Sequence, residues 1–440
     1  MSTLTRNLAE FVVATRATPL TPRATGIVTD GFIDCIGVML AGRAEPVVQV
    51  LDRLYGATPG PATLLCGERR ADAARAALIN GAAAHALDYD DVAFTSHPST
   101  VLVPAIQAEA EALGLTGPVL LAAYQAGFEV WAELIYREPD PHFTKGWHPT
   151  AVFGTIAATA AIACLHGLDV ERTITALGLA ASSAGGVIAN FGTMAKPWHA
   201  GKAAAAGIEC VRLAMAGMSA TDDGIGHANG FLAAISPRGR VRLDPATPEL
   251  GRWLEREGIC FKKYPLCYAT HRVVDGAAEL AKRQIDWNAI ERVDIELGAV
   301  QYRILKKHLP RDPLEAKFSI EFALASGLRY GTAELRHLDP AIVTDPAMVA
   351  LMQKVRVHEI EGEGDIMPGF APADRVRLVL RDGRVEDSGA RTVPSGHPRA
   401  PASRAELRAK YLDCCDYGGV ERERAEAIYR ALLGLGTPAT

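Results

Sequence analysis

No two of the eight cysteines stand in a C-x-x-C pair, and most sit singly in apolar text. That spacing argues against a zinc ribbon or a disulfide framework and for reduced core thiols. The twelve histidines contain no H-E-x-x-H, and the carboxylates no calcium-loop spacing, so no dedicated metal site is expected. Also missing are a G-x-G-x-x-G after a strand, a G-K-[ST] loop and a G-x-S-x-G elbow. Dinucleotide, nucleotide and serine-hydrolase chemistry lose their usual support. Basic runs interleaved with aromatics are absent, and 46 Lys+Arg against 51 Asp+Glu leave a formal charge of -5. Nucleic acid is therefore not an expected partner. No apolar run is expected to reach the roughly 18 residues that span a bilayer. The opening text, MSTLTRNLAEFVVATRATPLTPRA, is too broken by Arg, Glu and Pro for a signal peptide. The expectation is a cytoplasmic protein with no membrane partner.

What is present is enough for a sizeable core: 440 residues, 49% hydrophobic and 22% charged. From Asn7 to about Trp253, Ala and Leu dominate and apolar residues recur at three- and four-residue spacing, broken by Gly or Pro. This predicts helices over Thr21 to Ala41, Arg69 to Leu87, Thr100 to Leu113, Val119 to Arg137, Thr150 to His166, Ile174 to Ser183 and Gly201 to Ala216. The stretch TAVFGTIAATAAIACLHG is apolar on nearly every face, as a helix at the centre of a bundle would be. After about Gly258 the period falls to two in ERVDIEL, KVRVHEI and RVRLVLRDGRVEDSG, the last with a hairpin signal at Asp382-Gly383. Helical patterns follow at Ala316 to Leu328, Pro340 to Gln353, Arg404 to Cys414 and Arg422 to Leu433. The fold class expected is mostly α: a large all-helical domain, residues 1–258 completed by 402–440, with a smaller α+β domain over 259–401.

Five polar islands interrupt the apolar text: HALDYDDVAFTSHPS, TKGWHPTA, FGTMAKPWHAGKAA, FKKYPLCYATHRVVDGA and EAKFSIEFALASGL. They supply carboxylates, imidazoles, lysines and hydroxyls at helix ends, the equipment for acid and base chemistry on an anionic substrate. Each has an ordinary reading as well. Asp88, Asp90 and Asp91 could end one helix and cap the next. His97 and His148, each before a proline, could be turn residues. Lys196 could be a solvated lysine in a loop before a helix, and His271 a histidine at a helix start bonded to backbone.

In order and spacing, NGAAAHALDYDD with the following HPS, then WHPTAVFG, AKPWHAGKAAAAG, KKYPLCYATH, AKFSIEFALASG and GHPRAPASRAELRAKYLD cover nearly the whole chain. They resemble the signatures of the MmgE/PrpD family, which holds 2-methylcitrate dehydratase, cis-aconitate decarboxylase and iminodisuccinate epimerase. The resemblance implies a large helical and a smaller α+β domain, a homodimer, a site between the domains, and no required metal or organic cofactor. It assigns active-site roles to Asp88, His97, His148 and Lys196, with Lys262 on the K-x-x-P segment. It implies substrate contacts near Cys267 and His271, and more loosely at Tyr302. Two positions depart from the decarboxylase pattern: Val92 stands for a threonine and Cys267 for a histidine.

The chemistry implied is bond breaking next to a carboxylate of a small polycarboxylate, through a carbanion that fixed cations must stabilise. Lys196 or Lys262, with His148 as imidazolium, is expected to hold that charge. His97, oriented by Asp88, is expected to move the proton, its role as base or acid open. Asp90 or Asp91 is expected to cap the next helix. Dehydration of a 2-methylcitrate-like acid is the first expectation, epimerisation of iminodisuccinate the second and decarboxylation of cis-aconitate the third. A catalytically silent helical scaffold is the non-enzyme alternative.

Overall fold

The structure, a computed structural model, describes residues 2–437 apart from 68, 139, 141 and 365–369. The chain forms two compact units: Met1–Asn190, Met194–Ile259 and Arg404–Thr440 in the first, Phe191–Thr193 and Cys260–Ser403 in the second. In chain order the first unit contains α1 (Leu4–Thr15), α2 (Pro22–Gly42), α3 (Pro46–Tyr55), β1 (Ala62–Leu64), β2 (Arg69–Ala71), α4 (Ala73–Ala86), α5 (Ser99–Leu113), α6 (Pro118–Arg137), α7 (Pro149–His166), α8 (Val170–Ser183), α9 (Ala195–Met215), α10 (Phe231–Ile235) and α11 (Trp253–Glu257). The second contains α12 (His271–Ala281), β3 (Ile290–Gly298), α13 (Ala299–Ile304), α14 (Pro313–Ala316), α15 (Ile320–Tyr330), α16 (Pro340–Val343), α17 (Pro346–Met352), β4 (Val355–Ile360), β5 (Arg375–Leu380) and β6 (Val385–Asp387). The chain then supplies α18 (Arg404–Tyr417) and α19 (Arg422–Leu433) to the first unit. The fold is mostly α with a small α+β part.

The first unit is built on α4, α7 and α9, whose small side chains let backbones approach. Every residue of α4 but Arg75 is buried, and every residue of α7 but His166. Where α4 crosses α9 two glycines face each other: a Cβ on Gly81 would sit 2.8 Å from Gly201 Cα, and one on Gly201 would collide with the Leu78 carbonyl. Gly42, ending α2, approaches the Ala83 carbonyl of α4 as tightly. Neither contact leaves room for a methyl group, and only glycine permits it.

Five sequence expectations need correction. Arg69 to Leu87 is not one helix: its first three residues form β2, paired antiparallel with β1 through Thr63 and Arg70, and Asp72 then caps α4 by accepting from the Ala74 N–H at 3.0 Å. Helix α9 begins at Ala195, not Gly201, because Pro197 is tolerated in a first turn where its missing N–H is not needed. Ala316 to Leu328 splits at Ser319, which caps α15 through the Phe322 N–H, and Pro340 to Gln353 splits where Asp345 caps α17. Last, α2 and α7 are long and apolar enough to cross a membrane, contrary to the expectation that no such run exists; 78% and 94% of their apolar windows are buried inside the protein, so they are core helices.

In the second unit a four-stranded sheet has the order β4-β3-β5-β6. Strand β3 pairs parallel with β4 (Val293 opposite Val355) and antiparallel with β5 (Val293 opposite Leu378). Its period-two text points Val293, Ile295 and Leu297 inward, and a register shift between Ile290 and Arg292 lets Ile290 join them, in one core with Val273, Val274, Phe322 and Leu324 of α12 and α15. The hairpin between β5 and β6 turns at Asp382-Gly383, where Gly383 takes the left-handed φ of 87° that favours glycine.

Replacing Gly201 by Ala should force α9 away from α4. The expected cost is about 1–3 kcal/mol of stability, read as a lowered Tm, because the obstruction is backbone rather than a movable side chain.

Candidate active site

The end of α4, the segment 87–98, the start of α7 and the start of α9 bring the polar residues of three islands together inside the first unit. The segment is strained: of the four non-glycine residues with left-handed φ among those described, Asp88 (51°), Phe94 (53°) and Thr95 (58°) fall here. Asp88, Asp90, Asp91, His85, His148, His199 and Lys196 are all 5% exposed or less. Buried charges of this kind persist only when paired.

The pairing differs from the expected one. Lys196 Nζ donates to Asp88 Oδ1 at 3.0 Å. Lys196 lies in the first turn of α9 rather than in a loop, where the helix dipole opposes a cation, so the carboxylate offsets both burial and dipole. The carboxylate that orients His97 at Nδ1 is Asp90, at 3.0 Å, rather than the expected Asp88. Asp90 also receives His85 Nδ1 at 2.9 Å, so one carboxylate holds two imidazoles whose ring centroids are 4.5 Å apart. The Asp91 carbonyl lies 2.9 Å from the same His97 Nδ1. A nitrogen facing a carboxylate and a carbonyl must carry its proton, so in the neutral ring of His97 the lone pair is on Nε2. The His97 N–H donates to Thr150 Oγ1 of α7 at 3.2 Å, tying the segment to that helix.

His148 precedes Pro149 and takes the extended conformation that proline imposes; its N–H donates to the Gly186 carbonyl at 3.0 Å. Its Nδ1 lies 3.2 Å from His199 Nδ1, one nitrogen donating and the other accepting. Burial first, and then the neighbouring Lys196 ammonium, push His148 well below the usual histidine range. Burial likewise lowers His85 to about 3 and His199 to about 4. The expectation of His148 as a standing imidazolium is thereby corrected: in the resting site these three rings are neutral. Asp90, beside two imidazoles, is held well below the carboxylate range despite burial and stays ionised.

Asp91 has the capping role that was open between it and Asp90. Its Oδ1 accepts the Ser99 N–H at 3.2 Å at the start of α5, and Oδ2 pairs with the Ser99 hydroxyl, itself 2.7 Å from Tyr124 Oη. Burial raises Asp91 to about 8 against the Ser99 bonds, with Asp34 and Asp90 nearby, so it holds a proton at neutral pH.

Of the sequence-predicted residues, Asp88, His97, His148 and Lys196 thus meet in one cluster. Lys262, Cys267, His271 and Tyr302 belong to the second unit. There Lys262 is buried, Cys267 is half-buried, and His271 opens α12 with Nε2 3.2 Å from the Leu266 carbonyl, the backbone-bonded geometry weighed as its ordinary reading. Tyr302 on α13 packs its ring 5.4 Å from that of His308. Sequence reasoning missed His85 and His199 and gave Asp90 too small a part. With α9 starting at Ala195, Lys196 and His199 stand at i and i+3 on one face, a signal the Pro197 position carried.

His85, Asp88, Asp90 and His97 each offer a donor atom, all within 4.8 Å of one another, a group close enough to hold a metal ion that sequence spacing did not signal. The ammonium of Lys196 stands beside Asp88 where such an ion would draw on that carboxylate.

Buried imidazoles, ionised carboxylates and an ammonium on a helical scaffold are the equipment of an enzyme that moves protons with its own side chains. Residues 6–244 match the MmgE/PrpD N-terminal domain and residues 264–435 the MmgE/PrpD C-terminal domain. The chain belongs to the MmgE/PrpD family and is an enzyme of the lyase type. It is similar to cis-aconitate decarboxylase of Mus musculus, 30% identical over 87% of this chain and 82% of the relative. The Homo sapiens cis-aconitate decarboxylase is 27% identical over 93% and 87%, and the cis-aconitate decarboxylase-like protein oryM of Aspergillus oryzae 26% over 84% and 81%.

Asp90→Asn keeps the volume but removes the charge shared by His85 and His97, and turnover should fall by about 10²-fold or more. Asp88→Asn should fall comparably through loss of the Lys196 pair; full activity in either variant, measured as kcat on folded protein, would remove that residue from the site. Asp91 gives a pH signature. Its folded value of about 8 lies above the unfolded one, so its proton stabilises the fold less and less as pH rises from about 4 to about 8. Relative to the parent, Asp91→Asn should therefore gain Tm as pH rises from 5 to 8.5, and a difference that stays constant over that range would mean an ionised Asp91.

Proposed function

We propose that the enzyme forms a carbanion next to a carboxylate of a small polycarboxylate and that its reaction is a 2-methylcitrate dehydratase-like loss of water. The observation that carries this reading is the pair of buried dyads side by side: His97 with its Nδ1 proton anchored on Asp90, and Lys196 held by Asp88. With Nδ1–H fixed, Nε2 of His97 has the lone pair to take an α-proton. The electrons left behind delocalise into the adjacent carboxylate, and that doubled charge needs a cation placed in advance, which Lys196 supplies. The leaving hydroxyl departs as water once a donor gives it a proton, either the Lys196 ammonium or a ring N–H of the His148–His199 pair.

A second reading is decarboxylation of cis-aconitate, favoured by the names of the relatives. Carbon dioxide would leave first, and the same stabilised carbanion would then take a proton. Dehydration stands ahead because the buried Val92 offers no hydroxyl and Cys267 no imidazole where the decarboxylase pattern has them, and such donors act only when placed within fractions of an ångström. Epimerisation of iminodisuccinate needs the same carbanion and two opposed proton carriers.

Incubation with 2-methylcitrate, citrate, cis-aconitate and iminodisuccinate separates the three by ultraviolet absorbance, released carbon dioxide and chiral chromatography. Unsaturated product from 2-methylcitrate is expected; carbon dioxide from cis-aconitate establishes the second reading, and silence on all four rejects the proposal. The activity should also outlast exhaustive dialysis against EDTA. A loss restored by a divalent ion would place a metal among His85, Asp88, Asp90 and His97.

A further inference from the structure

The C-terminal motif GHPRAPASRAELRAKYLD contributes nothing to the cluster above, yet it sets one buried cation beside it. Its later residues open α18, which packs on α2. From α18 the side chain of Lys410, 8% exposed, reaches Asp34 Oδ1 of α2 at 2.7 Å. The same ammonium donates to the Tyr89 carbonyl at 2.7 Å and stands 4.1 Å from the centre of the Tyr89 ring. Tyr89 is the residue between Asp88 and Asp90.

We propose that Lys410 is a positioning residue of this active site: by gripping the carbonyl and ring of Tyr89 it fixes the directions in which Asp88 meets Lys196 and Asp90 meets His85 and His97. A largely buried ammonium has three N–H donors to satisfy, and here one of them is directed to the carbonyl of the residue that joins the two carboxylates. Three attachments on one buried nitrogen lock the peptide that joins the two carboxylates. That peptide needs locking, because Asp88 holds a left-handed φ of 51° that its side chain disfavours, and an unrestrained segment would relax towards ordinary backbone. Such a relaxation turns both carboxylates, since each lies one residue from the held carbonyl. Misplacement of about 1 Å at acid–base groups is enough to cost a large part of the rate. The inference rests on the proposed chemistry only where turnover is read.

The test separates the two attachments of Lys410. In Asp34→Asn/Lys410→Met no charge is left buried without its partner, so the fold should be kept, while the grip on Tyr89 is gone. Lys410→Arg keeps a cation for Asp34 but presents a planar fork that cannot reproduce the ammonium geometry at Tyr89. Both are compared with the parent by thermal melting, by ring-nitrogen NMR of 15N-histidine-labelled protein, and by kcat and KM on whichever polycarboxylate the parent turns over. The expected result is a kcat lower by about tenfold or more with KM within about threefold, and displaced ring signals for His97 and His85. Parental ring signals and parental kcat in either folded variant would overturn the proposal and leave Lys410 a neutraliser of Asp34. If the parent turns over none of the acids, the proposed reaction has failed, and the ring signals alone still decide the role of Lys410.

Discussion

Two glycines meeting where α4 crosses α9 set the distance on which the site depends. Gly81 and Gly201 let the two backbones come closer than any side chain would allow. Just beyond the crossing, the first turn of α9 carries Lys196 and α4 ends ahead of Asp88, and the salt bridge that joins them spans 3.0 Å. A second close approach, of Gly207 on α9 to Ala158 on α7, accompanies the contact of His199 with His148 at the start of α7. Small residues throughout α4 and α7 therefore do more than fill a core: they bring the polar ends of separate helices within bonding distance.

The cluster is a compromise between charge and dryness. Few side chains in it carry charge at rest, and those that do are paired; the remaining imidazoles are neutral because burial disfavours the imidazolium. Asp90 stabilises two rings with one charge, which is cheaper in desolvation than two separate dyads. A bundle of neutral imidazoles is responsive to what enters it. An anion arriving beside them favours their protonated forms, so ligand and proton bind together, and the site adjusts its own charge to that of its guest.

Much of this was legible in the sequence. The helical text of the first unit and the period-two strands of the second follow from side-chain spacing alone, and the polar islands marked the ends of helices. What escaped notice were pairings between islands. Nothing in LDYDDV says which aspartate meets an imidazole, because that depends on the left-handed turn at Asp88, a conformation aspartate adopts only when its surroundings require it. His85 was hidden by its alanine neighbours, which read as plain helix, and His199 by a helix start placed too late. The sequence expectation had residues 402–440 completing the first domain, and in the structure Arg404–Thr440 belong to the first unit. The C-terminal family match runs through residue 435, yet α18 and α19 at its end pack into the first unit. Sequence kinship and spatial unit need not share a boundary.

That return of the chain has a consequence for its biosynthesis. Helix α18 covers α2, an apolar helix made within the first tenth of the chain, but α18 itself begins only at Arg404. At ribosomal speeds of about 5–20 residues per second, α2 waits roughly 20–80 s for its cover. Until then the nascent helical unit exposes an oily seam, and Asp34 lies there without Lys410. The first unit therefore closes only after α18 has been made and has brought Lys410 to Asp34.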